Sequence, residues 1–234
     1  MRLRSRVASI AFKCLIVLVG AVGLLDQLGL FEGSFNPRFF FYFTNLSNAV
    51  AVAYFIGAIV HLVRHPGDGA AWAPRLKYAA LMAVTVTCLV ATFLLGGGVR
   101  LPDGSFSFAV LALHYLVPIG CVLDWLLFDE KGRMSKTGPL VWMVFPLAYF
   151  AYAIALVNLF GANMGYDGAS RYPYPFIDIV ANGAGTVAAT AAVLLAAFIA
   201  LGYAYVGIDR LLARIGKRAG RRGLHPDPLY PFSE

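Results

Sequence analysis

The chain has 234 residues, of which 60% are hydrophobic and 13% charged, against roughly 25% charged in an ordinary soluble domain. With a mean hydropathy of +0.73, composition argues against a soluble enzyme, a disordered chain and a nucleic-acid-binding domain, because a soluble fold of this length cannot hide so much apolar surface. The net charge of +7 is confined to a few segments, and their placement points to a membrane surface rather than to DNA.

A spanning helix needs about 20 mostly apolar residues. Six runs qualify, at roughly 8–30, 39–63, 76–98, 106–128, 139–160 and 183–207. The chain therefore reads as an all-α, polytopic membrane protein, a bundle of six transmembrane helices in one integral membrane domain over 1–234, with a basic tail from 208 to 234. Turn-forming residues punctuate the gaps: Glu32-Gly33-Ser34 with Asn36-Pro37, His65-Pro66-Gly67-Asp68-Gly69, Pro102-Asp103-Gly104 and Lys131-Gly132-Arg133. The longest gap, Gly161 to Asn182, carries Tyr172-Pro173-Tyr174-Pro175. Arg2, Arg4 and Arg6 precede the first run, but that run is longer than a signal-peptide core and lacks a convincing cleavage site, so it reads as a retained helix.

Orientation follows from Lys and Arg. With the N-terminus inside, the inner segments hold Arg2, Arg4, Arg6, Arg64, Arg75, Lys77, Lys131, Arg133, Lys136 and six basic residues after the last span. The outer loops hold only Arg38, Arg100 and Arg171, and Lys13 in the first span is expected to snorkel inward. Both termini are thus expected in the cytoplasm. The small residues Gly183, Gly185, Ala188, Ala189 and Ala192 predict that the sixth span is central or tightly packed. Cys14, Cys88 and Cys121 are scattered through apolar runs and read as small hydrophobes, with neither a disulfide nor a metal site expected.

Polar side chains inside apolar spans are where function is sought. The second span opens with Thr44, Asn45, Ser47 and Asn48, and Thr44, Ser47 and Asn48 share one helix face. His114 is the one histidine deep in a span. Thr44 and Ser47 lie at a similar depth to His114, so either hydroxyl could pair with the imidazole as nucleophile and base. Asn45, Asn48 and Tyr115 are candidate donors to an oxyanion. Tyr152 and Asn158 are candidate substrate contacts, and Asp26 and Asp178 are candidates for orienting the histidine. Asp124, ten residues after His114 and on another helix face, reads as an interfacial acid beside Trp125. A bis-His haem is not expected, because His61 lies at the opposite depth. A retinal protein would need a lysine that the sixth span lacks. A transporter would show a midplane chain of ionisable groups or inverted repeats, and neither is found.

Three segments carry a family resemblance: Phe41-Tyr42-Phe43-Thr44-Asn45-Leu46; His114 with Pro118, ending Leu123-Asp124-Trp125-Leu126-Leu127-Phe128; and Tyr174-Pro175-Phe176-Ile177-Asp178. In these, and in the six-span layout, the chain resembles the androgen-induced/FAR-17a-like six-transmembrane family and its bacterial relatives. Animal members are threonine hydrolases that cleave fatty acid esters of hydroxy fatty acids. The resemblance selects Thr44 as nucleophile and His114 as base, with no cofactor, and implies a lipid ester substrate and a bacterial inner-membrane location. Asn45 stands where animal members carry an acid, and the spacing from His114 to Pro118 is one residue shorter than theirs. Two functions follow as expectations. One is an intramembrane lipid ester hydrolase. The other is a non-enzymatic membrane protein binding a lipid or a partner in the same polar pocket.

Overall fold

A computed structural model describes residues 3, 5–65, 72–100, 104–165 and 170–222, with side chains to 218. The turn beyond His65, Pro102 and Asp103, and the tail carrying His225, Pro226 and Pro228 lie outside the described residues. Six helices are long and apolar enough to cross a membrane: α1 (Arg6–Gln27), α2 (Phe43–Arg64), α3 (Pro74–Phe93), α4 (Phe108–Phe128), α5 (Gly138–Leu159) and α6 (Ala184–Arg222). The protein is an integral membrane protein with an all-α bundle.

The ends of the spans have local causes. The Ser5 hydroxyl caps α1 by accepting the Ala8 N–H at 3.2 Å, and Ser107 does the same for α4 through Val110. Pro74 starts α3 at a position where a missing N–H costs nothing. That helix stops at Phe93, short of the expected 98, because Gly96 and Gly97 adopt left-handed backbone. Close approach of α1 to its neighbours depends on Gly20 and Gly23. A Cβ on Gly20 would sit 2.5 Å from Val52 Cγ2, and one on Gly23 would sit 3.0 Å from Leu113.

Three sequence expectations need correction. Gly183, Gly185, Ala188, Ala189 and Ala192 are exposed, so α6 is a peripheral helix rather than a central one. Lipid tails are as apolar as leucine, so a small-residue stripe faces them as readily as it faces a neighbour. Lys13 does not snorkel. Its ammonium is buried and bonds Asp124 Oδ1 at 2.6 Å and Ser9 Oγ at 2.8 Å. Asp124 is correspondingly not interfacial: it is fully buried, and its Oδ2 accepts Lys77 Nζ at 2.6 Å. Lys77 also bonds Asp129, giving two lysines and two aspartates in one buried network that joins α1, α3 and α4. Burial raises the Asp129 carboxyl above the ordinary aspartate range, against the pull of Lys77. This network lies at the end of the bundle where Arg6 donates to the Leu62 and Val63 carbonyls. The polar stripe of α2 lies toward the opposite end.

Candidate functional site

α4 is not a regular helix. Its middle, Ala112–Leu116, is a π-helical turn in which the Val117 N–H reaches back five residues to the Ala112 carbonyl. The cause is Pro118. In a regular helix its ring would clash with the His114 carbonyl one turn back, and it has no N–H to offer. The wider turn has a consequence for Leu113. Its carbonyl loses Val117 to Ala112, and the next residue along is Pro118, which cannot donate. Asn48 Nδ2 fills the vacancy from α2, donating to Leu113 O at 2.9 Å and to Thr44 O at 2.8 Å. One side-chain amide therefore ties the strained turn of α4 to the first turns of α2.

That tie brings Thr44 and His114 together. Thr44 Oγ1 lies 3.2 Å from His114 Nε2. The other ring nitrogen, Nδ1, is 3.0 Å from the Val110 carbonyl. A carbonyl only accepts, so Nδ1 carries the proton and Nε2 presents a lone pair to the threonine hydroxyl. The histidine is thus oriented by a backbone carbonyl. Asp178, offered above for that task, instead caps the single turn Ile179–Asn182 by accepting the Val180 and Ala181 N–H groups at 2.8 and 2.9 Å. A hydrogen bond from Ser170, with those two, holds the Asp178 carboxyl below the usual aspartate range.

The pair opens on a cavity of about 860 Å³, its mouth included. It is walled by the first turn of α2, the second half of α3, Pro146–Phe150 of α5, Ala191–Phe198 of α6 and the loop residues Tyr174, Phe176 and Ile177. Among these walls only Thr44, Thr87, His114, Tyr149 and Tyr174 carry polar side-chain atoms. Two lining leucines, Leu95 and Leu147, are also 40% and 47% exposed, so the cavity reaches the outer surface of the bundle there. Its walls are otherwise apolar, and its polar groups are few and convergent.

The other sequence candidates lie beside the cavity rather than in its wall. Asn45 Nδ2 donates to Phe39 O at 3.0 Å from outside the cavity wall, and both Asn48 amide protons are committed as described, so neither amide meets an oxyanion in the cavity. Ser47 is fully buried, donates to Thr44 O at 3.1 Å and lies 2.9 Å from Thr87 Oγ1. Tyr115 follows His114 but is turned toward Gly97 and away from the cavity. Tyr152 donates to Phe40 O at 3.3 Å, and Asn158 Oδ1 accepts from Tyr172 at 3.1 Å; both brace loops against α5.

Two tyrosines at the site were not singled out from sequence. Tyr174 Oη accepts the Phe43 N–H at 3.1 Å and lines the cavity beside Thr44. It caps α2, which has no side-chain cap of its own. Burial raises the Tyr174 phenol above the ordinary tyrosine range, so it keeps its proton at neutral pH. Tyr149 donates to Phe41 O at 2.7 Å, and its ring centroid lies 6.2 Å from that of Tyr174. The signal for Tyr174 was present in Tyr174-Pro175, a rigid turn directly before the last span, but its partner lies 131 residues away.

No family model matches the chain, and no curated protein or solved structure is significantly similar to it.

Proposed function

We propose that the protein is an intramembrane lipid ester hydrolase in which Thr44 is the nucleophile and His114 the general base. The observation that carries this reading is the 3.2 Å approach of Thr44 Oγ1 to a His114 Nε2 whose lone pair is fixed by Val110. In the first half-reaction Nε2 takes the hydroxyl proton as Oγ1 bonds to the ester carbonyl carbon. Collapse of the tetrahedral intermediate breaks the bond to the alcohol oxygen, which leaves with the proton held on Nε2. Water then attacks the acyl-threonine, His114 takes one of its protons, and that proton returns to Thr44 as the fatty acid departs. The apolar walls fit an acyl chain, and the approach at Leu95 and Leu147 provides entry from within the bilayer.

Membership of the androgen-induced/FAR-17a-like family, and with it fatty acid esters of hydroxy fatty acids as substrates, belongs to the same proposal. So does a bacterial inner-membrane location with both termini in the cytoplasm and the Thr44 end in the outer leaflet. The supports are the three sequence segments and the basic asymmetry. A cysteine at Glu32 or Ala162, in a background without the native cysteines, should react with a membrane-impermeant maleimide on intact cells. Labelling only after lysis overturns the orientation.

The enzymatic test is hydrolysis of neutral lipid esters by purified protein. Thr44→Ala and His114→Ala should each abolish it in a folded protein, and the double variant should be no worse than either, because groups acting as one unit are not additive. Thr44→Ser should retain activity. A folded wild type that leaves several ester classes intact, yet binds them, would replace this reading with a lipid-binding protein.

A further inference from the structure

The hydroxyl protons around the cavity can be accounted for one by one. Tyr149 gives its proton to the Phe41 carbonyl, an acceptor only. Thr44 faces the lone pair of His114 Nε2. Ser47 and Thr87, 2.9 Å apart, place their two protons among the Thr44 carbonyl, the Ala83 carbonyl and each other. Tyr174 differs. Its oxygen accepts the Phe43 N–H at 3.1 Å. Among the described hydrogen bonds it takes part only as an acceptor, so its own proton is uncommitted. Among the described residues lining the cavity, Tyr174 therefore holds the one hydroxyl proton to which the structure gives no acceptor.

An acyl-transfer site needs such a proton. Negative charge develops on the ester carbonyl oxygen as the nucleophile attacks, and a donor fixed beside the nucleophile stabilises it. Asn45 and Asn48 are committed to carbonyls, and Tyr115 lies outside the cavity wall. We propose that Tyr174 is the oxyanion donor, its O–H turning to the substrate carbonyl oxygen as the Oγ1–carbon bond forms. No covalent bond to Tyr174 is made or broken, and its proton stays on the phenol. The Phe43 N–H strengthens the donor. It marks the positive end of the α2 dipole, and a hydroxyl that accepts a hydrogen bond donates more strongly. The Tyr149 ring flanks that of Tyr174, with centroids 6.2 Å apart. The inference rests on the hydrolase reading.

The test compares wild type, Thr44→Ala and Tyr174→Phe on a neutral p-nitrophenyl fatty acyl ester in detergent micelles. Thermal unfolding in the same micelles reports whether each variant is folded. Tyr174→Phe should lower kcat by about 10²–10³-fold while KM stays near its wild-type value, the range seen on removing one oxyanion donor. The Ki of an acyl trifluoromethyl ketone, which forms a hemiketal oxyanion on Thr44, should rise by a similar factor. A merely structural role would not link Ki to kcat at constant KM. If Tyr174→Phe does not fold, 3,5-difluorotyrosine at 174 keeps shape and hydroxyl and makes a stronger donor, and kcat should rise below the pH at which that phenol ionises. Thr44-dependent hydrolysis with kcat and Ki unmoved by these changes overturns the Tyr174 assignment alone. Hydrolysis that is absent, or that survives Thr44→Ala, overturns the hydrolase reading and this inference together.

Discussion

Asn48→Leu removes the amide that joins α2 to the π-turn of α4 while nearly preserving volume, so its effect isolates hydrogen bonding from packing. Two bonds to buried carbonyls are lost, at 2.8 and 2.9 Å, each worth about 1 kcal/mol net. The two carbonyls then fare differently. Thr44 O keeps the Ser47 hydroxyl, whereas Leu113 O is left with neither Val117 nor Pro118 to donate to it, an orphaning that costs roughly 1–3 kcal/mol. Against this, Asn48 Oδ1 is buried without a partner in the wild type, and its removal returns about 1 kcal/mol. The balance is a loss of about 2–4 kcal/mol, above the ~0.6 kcal/mol average for an interhelical hydrogen bond in a membrane, because a specific carbonyl is stranded. Reversible unfolding in mixed micelles with increasing SDS measures it, with Asn45→Leu as a control that loses only one bond. The same substitution should loosen the register of Thr44 against His114 and lower hydrolysis in protein that is still folded. A stability within about 0.5 kcal/mol of wild type would refute the reasoning that Pro118 frees a carbonyl which Asn48 must satisfy.

Asp124→Asn should be strongly destabilising, by about 3–5 kcal/mol in the same unfolding assay, because Lys13 and Lys77 are left buried around a neutral amide. Ser47→Ala should keep hydrolysis and cost about 1 kcal/mol, since its hydroxyl packs against Thr87 outside the cavity wall. Asp178→Ala should cost about 1 kcal/mol through loss of the cap on Ile179–Asn182. The wild-type carboxyl has a depressed folded pKa, so its contribution is complete above the unfolded aspartate value and is lost as pH falls through the folded one. Unfolding midpoints of wild type and Asp178→Asn should therefore converge on acidification below that range; a constant difference would deny the shift.

The spans were legible because apolar length is all that crossing a bilayer requires. What hydropathy did not carry was the direction in which each helix faces. Gly183, Gly185 and Ala188 look like packing residues in sequence, yet in an apolar solvent small residues gain nothing by being buried unless a neighbour is shaped to meet them. Lys13 illustrates a second limit. Its position near the start of α1 predicted snorkelling, but Asp124 lies 111 residues away, and no local pattern announces such a partner. Thr44 and His114 stood out because polar groups are costly in an apolar span. The π-turn that aims His114 was written in Pro118, though its depth and rotation needed the folded helix. Tyr174 went unread because tyrosines are common near membrane interfaces, and only the uncapped N-terminus of α2 gives this one its task.

The most direct measurement of the central claim is the site of covalent capture. Purified protein in micelles is treated with an alkyl fluorophosphonate, digested, and mapped by tandem mass spectrometry. The adduct is expected on Thr44 Oγ1, absent in Thr44→Ala and strongly diminished in His114→Ala, because the hydroxyl is activated by the Nε2 lone pair beside it. An adduct on Ser47, or labelling that persists undiminished in His114→Ala, would contradict it.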